Sequence, residues 1–277
     1  MSSLAHGAEL VYRHSAVIRL THWVAVLCVT LLFLSGLQIF NAHPALYVGQ
    51  ASDFARPIAS IGAAWKDNRT IGVTKIFGFS FNTTGFLGLS GPANEDQHAF
   101  PSWLTLPGYQ DLAIGRRWHF FFAWLLVLNG LIYLLYSIVS GHVWRDLLPS
   151  ARQLHRIGGS ILDHLRLRFP GGEEARHYNV LQRLSYLLVL FILVPLLIVS
   201  GLTMSPGLDA AFPFLTDALG GRQTARTIHF ICAFALVGFA IIHILMVLLS
   251  GVFNNLRSMI TGWYTIKPEA HGHDEAV

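Results

Sequence analysis

Residues 226–251 read RTIHFICAFALVGFAIIHILMVLLSG. Between Arg226 and Arg257 there is no Asp, Glu, Lys or Arg, and a bilayer span needs about 20 consecutive, mainly apolar residues. The stretch is long enough to cross a membrane, yet it carries His229 and His243. At about 100° per residue the second histidine returns to within about 40° of the first, displaced by about 21 Å along the axis. One helix therefore presents two imidazoles on one face, one towards each side of a bilayer. Ionisable groups in a span are costly and point to function.

Three more stretches lack charged residues: Leu20 to Phe40, the interval between Arg117 and Arg145, and Arg183 to Asp209. The pattern predicts an all-α membrane protein with four transmembrane helices at about 17–40, 118–141, 184–204 and 226–251. Pro195 falls inside the third span, where a packed bundle tolerates a kink. The first span reads as retained rather than cleaved, because it is long and no small-x-small site follows it. The apolar run Ile76 to Leu89 is short and broken by Gly, Asn and Thr, and reads as an interfacial loop.

The 277-residue composition agrees. It is 53% hydrophobic and 12% charged, about half the charge of a soluble domain. Disorder is excluded by the hydrophobicity. Nucleic-acid binding is disfavoured, since a net charge of +4 is spread along the chain without a basic stripe. Cys28 and Cys232 sit in apolar runs and read as buried hydrophobes, not as a disulfide framework or metal site.

Four spans place both termini on one side. The 142–182 loop holds Arg145, Arg152, Arg156, Arg166, Arg168 and Arg176, with Arg183 at its edge. By the positive-inside rule this loop and both termini are cytoplasmic, in the inner membrane of a bacterial cell. The 41–117 and 205–225 connections then face outward. A loop as long as 41–117 is usually functional; with Trp65, Phe77, Phe79, Phe81, Phe86 and Trp103 among many glycines it is expected to fold as a small cap. Residues 1–263 read as one membrane domain and 264–277 as a polar tail. Asn68-Arg-Thr70 and Asn82-Thr-Thr84 match the glycosylation pattern and, in a bacterial chain, read as chance.

His229 and His243 need partners at their own depths. His22 lies near the inner end of the first span, at the depth of His243. His119 opens the second span at the outer side, at the depth of His229. Two pairs at two depths suit two bis-imidazole metal centres, and haem iron takes axial histidine. No CxxCH motif is present, so the haem would be noncovalent, of b type. Arg19, Arg116, Arg117 and Arg226 each lie two or three residues before a proposed ligand. Arginine is the bidentate partner of carboxylates, so these four are candidates for the haem propionates, against the alternative of snorkelling end-charges. His14 and His142 flank spans on the inner side and are alternative ligands. His43 and His98 fall in the outer loop, His155, His164 and His177 in the inner one, and His271 and His273 in the tail.

There is a weak internal repeat. A shift of 110 positions carries Arg116, His119, Phe120, Ser140 and Gly141 onto Arg226, His229, Phe230, Ser250 and Gly251. Arg19 and Leu20 match Arg183 and Leu184, with Tyr186 opposite His22. Ser-Gly pairs recur at 35–36, 140–141, 200–201 and 250–251, where glycine allows close approach of a backbone or a flat ring.

These motifs carry a resemblance. Arg19-Leu-Thr-His22-Trp23, Arg117-Trp-His119 and the His229/His243 pair resemble the prokaryotic cytochrome b561 and hydrogenase-type cytochrome b superfamily, across all four spans. Within it, Ser35-Gly-Leu-Gln-Ile-Phe-Asn-Ala-His43-Pro and Phe253-Asn-Asn-Leu-Arg-Ser-Met-Ile-Thr-Gly-Trp263 look like the thiosulfate reductase cytochrome b subunit-like proteins. The resemblance implies two b haems, with His22 and His243 on the inner iron and His119 and His229 on the outer. It implies electron transfer between membrane quinone and a redox enzyme outside the membrane, in relatives often molybdenum-containing. The long first outer loop departs from the simplest members. The rival reading is a transporter whose histidines bind metal ions or shuttle protons; the absence of Asp and Glu from the spans weighs against it.

Overall fold

The structure is a computed structural model that describes residues 9–150, 153–154, 157–160 and 180–266. Most of the Arg-rich loop, including His155, His164 and His177, and the tail with His271 and His273 lie outside the described residues. The chain divides into two compact units, one of Val24–Asn129 with Leu193–Ala235, the other of both chain ends with Gly130–Ile192 and Leu236–Val277.

Among the described residues four helices are long and apolar enough to cross a membrane: Ala16–Asn41, Leu112–Val139, Val180–Thr203 and Arg222–Leu249. The first is α1 and the second α2. The third comprises α3 (Val180–Leu188), a π-helical turn (Val189–Leu193) and α4 (Val194–Thr203). Pro195 lies in the first turn of α4. Its missing N–H and ring bulk disturb the hydrogen-bond ladder one turn upstream, which is where the π turn stands. Large apolar side chains such as Leu128, Leu135, Ile241 and Ile244 are exposed on these helices; they suit contact with lipid tails.

Two short helices, α5 (Pro206–Ala211) and α6 (Pro213–Ala218), lead to α7 (Arg222–Leu249), and α8 (Val252–Thr261) follows it. The second, third and fourth spans begin several residues before the sequence expectation. A long cation on the first turns of a helix reaches polar partners without ending it, so each helix extends beyond its uncharged stretch.

The all-helical expectation is corrected to a mainly helical fold that has, among the described residues, two small sheets. In the first unit β2 (Ala45–Leu46), β3 (Ala59–Lys66), β4 (Arg69–Ile76) and β5 (Phe79–Asn82) form an antiparallel sheet in that order. Its register pairs Ile61 with Thr74 and Thr74 with Phe81. Part of the supposed 76–89 loop is thus strand. The alternation is irregular because both faces are only partly covered, so periodicity carried little signal. The core beneath joins Leu37 and Phe40 of α1 to Leu46, Ala99 and Phe100. The Asn41 side chain donates to the Phe100 carbonyl (3.0 Å) and accepts from its N–H (2.8 Å).

Residues 43–50 form a strap over the start of α7. The Gly49 carbonyl accepts from the Gln223 and Thr224 N–H groups at 2.9 and 3.3 Å, satisfying donors that a helix start leaves unpaired. Thr227 Oγ1 donates to Tyr47 O at 2.7 Å. The approach needs Gly221, with φ +106°: a Cβ there would stand 2.6 Å from the Gly49 carbonyl.

In the second unit β1 (Glu9–Tyr12) pairs antiparallel with β6 (Trp263–Ile266). Residues 264–266, expected in the tail, are therefore strand. Trp23 Nε1 donates to Met259 O at 3.0 Å, and Arg19 Nη1 to Ile260 O. Buried Arg183 donates to the carbonyls of Leu148 (2.8 Å) and Arg145 (3.3 Å). That anchors the start of α3 to the π-helical turn Val143–Leu147.

Candidate metal centres

The expected histidines come together in the expected pairs. His119 of α2 and His229 of α7 have ring centroids 6.2 Å apart, with planes inclined at 61°. His22 of α1 and His243 of α7 stand 6.4 Å apart at 58°. Each pair lies within one unit. Imidazoles bonded to one metal from opposite sides, at about 2.0 Å per bond, hold their centroids about 6 Å apart. The donor sets thus fit a metal that takes two axial nitrogens. Among the described residues no group of three or more His, Cys, Asp or Glu gathers about one point, so a tetrahedral zinc-type site has no donor set there.

Both imidazoles of the His119–His229 pair are held in the same way. His119 Nδ1 lies 3.1 Å from Leu32 O and 3.2 Å from Ser35 Oγ. His229 Nδ1 lies 3.0 Å from Leu197 O and 3.2 Å from Ser200 Oγ. A carbonyl only accepts, so Nδ1 carries the proton and Nε2 keeps its lone pair for a metal. Each serine hydroxyl is fixed by donating 2.6 Å to a carbonyl of its own helix, Leu31 or Leu196. Gly36 and Gly201 complete the cradle: a Cβ on them would meet His119 Cε1 at 3.4 Å and His229 Cε1 at 3.3 Å.

The Ser-Gly repeat therefore had a meaning the sequence left open. Ser35-Gly36 and Ser200-Gly201 seat the imidazoles. Ser140-Gly141 and Ser250-Gly251 instead lie at helix ends, with Gly141 and Gly251 at φ +73° and +106°.

At the other pair, His22 Nδ1 is buried with no hydrogen-bond partner. The His22 ring packs edge-on to Trp23, and Phe239 stacks on His243. His14 and His142 belong to this unit but form no third imidazole of the pair.

The candidate arginines divide. Arg226 donates Nη1 to Ala45 O (3.0 Å) and Nη2 to His43 O, and lies over the Phe40 ring. It holds the strap one turn before His229. Arg116 lies over Phe120, and Arg116 and Arg117 are both exposed. Arg19 leaves its Nε buried and unpartnered. His43 stacks against Tyr47, and its Nε2 is buried without a partner; burial first, and the Arg226 charge second, push its pKa down.

Facing imidazole pairs carried by three of four long apolar helices among the described residues suit a membrane cytochrome of the b type. The chain belongs to the prokaryotic cytochrome b561 family, which it matches over residues 13–262. It is similar to the putative protein-methionine-sulfoxide reductase subunit YedZ1 of Azospira oryzae (strain ATCC BAA-33 / DSM 13638 / PS). The two are 31% identical over 254 residues, 92% of this chain and 98% of the relative. No solved structure matches the chain. It is thus a multi-pass, haem-binding electron-transfer protein of the membrane.

Proposed function

We propose that the chain is a dihaem cytochrome b that passes electrons from the quinone pool to a partner redox enzyme. The observation that carries this reading is the pair of imidazole pairs, 6.2 and 6.4 Å between centroids. His119 and His229 hold one noncovalent b haem and His22 and His243 the other. Bound haem supplies one-electron redox chemistry. The chain's own residues do the rest. The Leu32 and Leu197 carbonyls fix the imidazole tautomer, which raises ligand basicity. The apolar helices keep the sites dry. Arg19, Arg116, Arg117 and Arg226 are the candidates for balancing the propionates, Arg226 with the donors its carbonyl contacts leave free.

The Arg-rich loop and both termini are assigned to the cytoplasmic side of the bacterial inner membrane, and the strap and cap sheet to the periplasmic side. There the partner docks. The name of the relative supports a partner that is a reductase of the methionine sulfoxide type, and with such a partner the electrons run from quinol to the partner. Electrons crossing the whole bilayer move charge through the membrane potential, at about 2.3 kcal/mol per 100 mV.

The test is a reduced-minus-oxidised visible spectrum with haem counted per chain, for the wild type and His243→Ala. Two b haems in the wild type and about half that in the variant are expected. Unchanged haem in His243→Ala would overturn the ligand assignment. One haem in the wild type would remove the two-centre path.

A further inference from the structure

The internal repeat has an asymmetry that the haem reading does not absorb. A shift of 110 positions carries Tyr133 of α2 onto His243 of α7, as it carries His119 onto His229. Between the first and third spans, His22 matches Tyr186 at a shift of 164, whereas Leu32, Ser35 and Gly36 match Leu197, Ser200 and Gly201 at 165. The extra residue falls between Tyr186 and Leu196, where the π turn Val189–Leu193 stands. A π turn is how a helix absorbs one inserted residue, often at functional sites. The inner imidazole pair His22–His243 therefore has a counterpart, the phenol pair Tyr186–Tyr133, in the same unit. Tyr133 and Tyr186 lie within electrostatic reach of each other, and Arg13 reaches Tyr186.

Four further observations fall in the same unit as this pair. His142 packs edge-on to Tyr133, 6.4 Å between centroids. Ser137, one turn along α2 from Tyr133, is fully buried, and its hydroxyl has no hydrogen-bond partner. Other serines of the spans, Ser35, Ser200 and Ser250, donate to a carbonyl four residues back. A buried hydroxyl without a partner is costly and marks a place where a polar group of a ligand would be stabilised. In the same unit an apolar groove begins at Val143 and Trp144, which follow His142 in the chain. It continues along Leu184, Leu187, Leu188 and Phe191, on the helix that carries Tyr186. His14 is buried nearby; burial first, then the charges of Arg13, His142, His22 and Arg19, push its pKa down to about 4.

We propose that Tyr133, Ser137 and Tyr186 form the head-group site for a quinone, with the Val143–Phe191 groove taking its isoprenoid tail. The inference rests on the quinone-linked reading above. Two carbonyl or hydroxyl oxygens on opposite sides of a flat ring suit hydroxyl donors on two helices, and the tail needs an apolar path to the bilayer. Oxidation of one bound quinol to quinone releases two electrons and two protons. The protons pass to solvent water, and haem held at the two imidazole pairs would take the electrons, one each, on their way to the partner enzyme.

The test uses the full-length holoprotein in detergent, with duroquinol and reduced menadione as probes. The readouts are haem content, the dithionite-reduced spectrum, and the rate of haem reduction against quinol concentration. Tyr186→Phe and Tyr133→Phe are expected to keep both haems and the dithionite spectrum, while the quinol concentration for half-maximal rate rises about tenfold, the loss of one hydrogen bond from a buried ligand. Ser137→Ala is expected to raise it about threefold, also the loss of one hydrogen bond. If the wild type is reduced by quinol and all three variants follow the same curve, the site is elsewhere. If dithionite reduces the wild type and neither quinol does, the quinone-linked reading fails, and this site with it.

Discussion

Gly201 is the position at which the seat of an imidazole can be tested with the fewest other changes. A Cβ there would stand 3.3 Å from His229 Cε1, so Gly201→Ala asks the ring to give way by a few tenths of an ångström. Alanine in a helix interior is about 1 kcal/mol better than glycine, and the two effects nearly cancel. Gly201→Val is different. Its methyls extend the side chain towards the ring, and overpacking of this kind costs about 1–3 kcal/mol. The ring escapes only by turning, which breaks the 3.0 Å bond to Leu197 O, about 1 kcal/mol more. The sum, about 2–4 kcal/mol, weakens cofactor retention about 30- to 1,000-fold at about 1.4 kcal/mol per decade. Purified Gly201→Val should therefore lose the haem proposed at His119 and His229 and keep the one proposed at His22 and His243; haem per chain and the low-spin ferric EPR signals measure this. Gly36→Val should do the same from α1, since its Cβ would meet His119 at 3.4 Å. Gly238, with nothing within 4 Å of its Cβ position, supplies the control as Gly238→Ala. A Gly201→Val protein with full haem and unshifted signals would refute the argument.

Two further outcomes follow from other sites. Gly221→Ala forces a Cβ against the Gly49 carbonyl at positive φ; combined strain and overlap of about 2–4 kcal/mol should lower the melting temperature and open residues 43–50 to proteolysis, and a wild-type melting curve would refute the close approach. His14 has a folded pKa of about 4, below its ordinary 6.5, so the folded state binds fewer protons between those values. Stability is then full above pH 6.5 and declines as pH falls towards 4, by about 3 kcal/mol over the range. Melting temperatures at pH 7.5 and 5 should differ by less in His14→Gln than in the wild type, and equal differences would refute the contribution.

Much of the site was legible before any coordinates. His22, His119, His229 and His243 announced themselves because an ionisable group in an uncharged apolar run has few structural reasons to be there. The fixed rise and turn of a helix then converted spacing into depth. The arginines offered for the haem propionates were less legible. A long flexible cation near a helix end has many partners within reach, and Arg226 spends two donors on the carbonyls of His43 and Ala45.

The Ser-Gly pairs show the same limit. Four looked alike, and only packing separated Ser35-Gly36 and Ser200-Gly201, which seat imidazoles, from Ser140-Gly141 and Ser250-Gly251, which do not. The cap sheet escaped notice because β3 to β5 are unevenly covered, with β5 exposed along its whole length, so the two-residue period was blurred.

The sequence alone determined the helical spans and the depths of the four histidines, because both depend on local composition and on the regular geometry of one helix. The tertiary structure decided which backbone carbonyl and hydroxyl hold each Nδ1, and that the strap 43–50 completes the start of α7. It also decided that Tyr133, Ser137 and Tyr186 share the unit with the second imidazole pair. Those relations join residues far apart in the chain, and their distances depend on how helices pack, which no single stretch of sequence encodes.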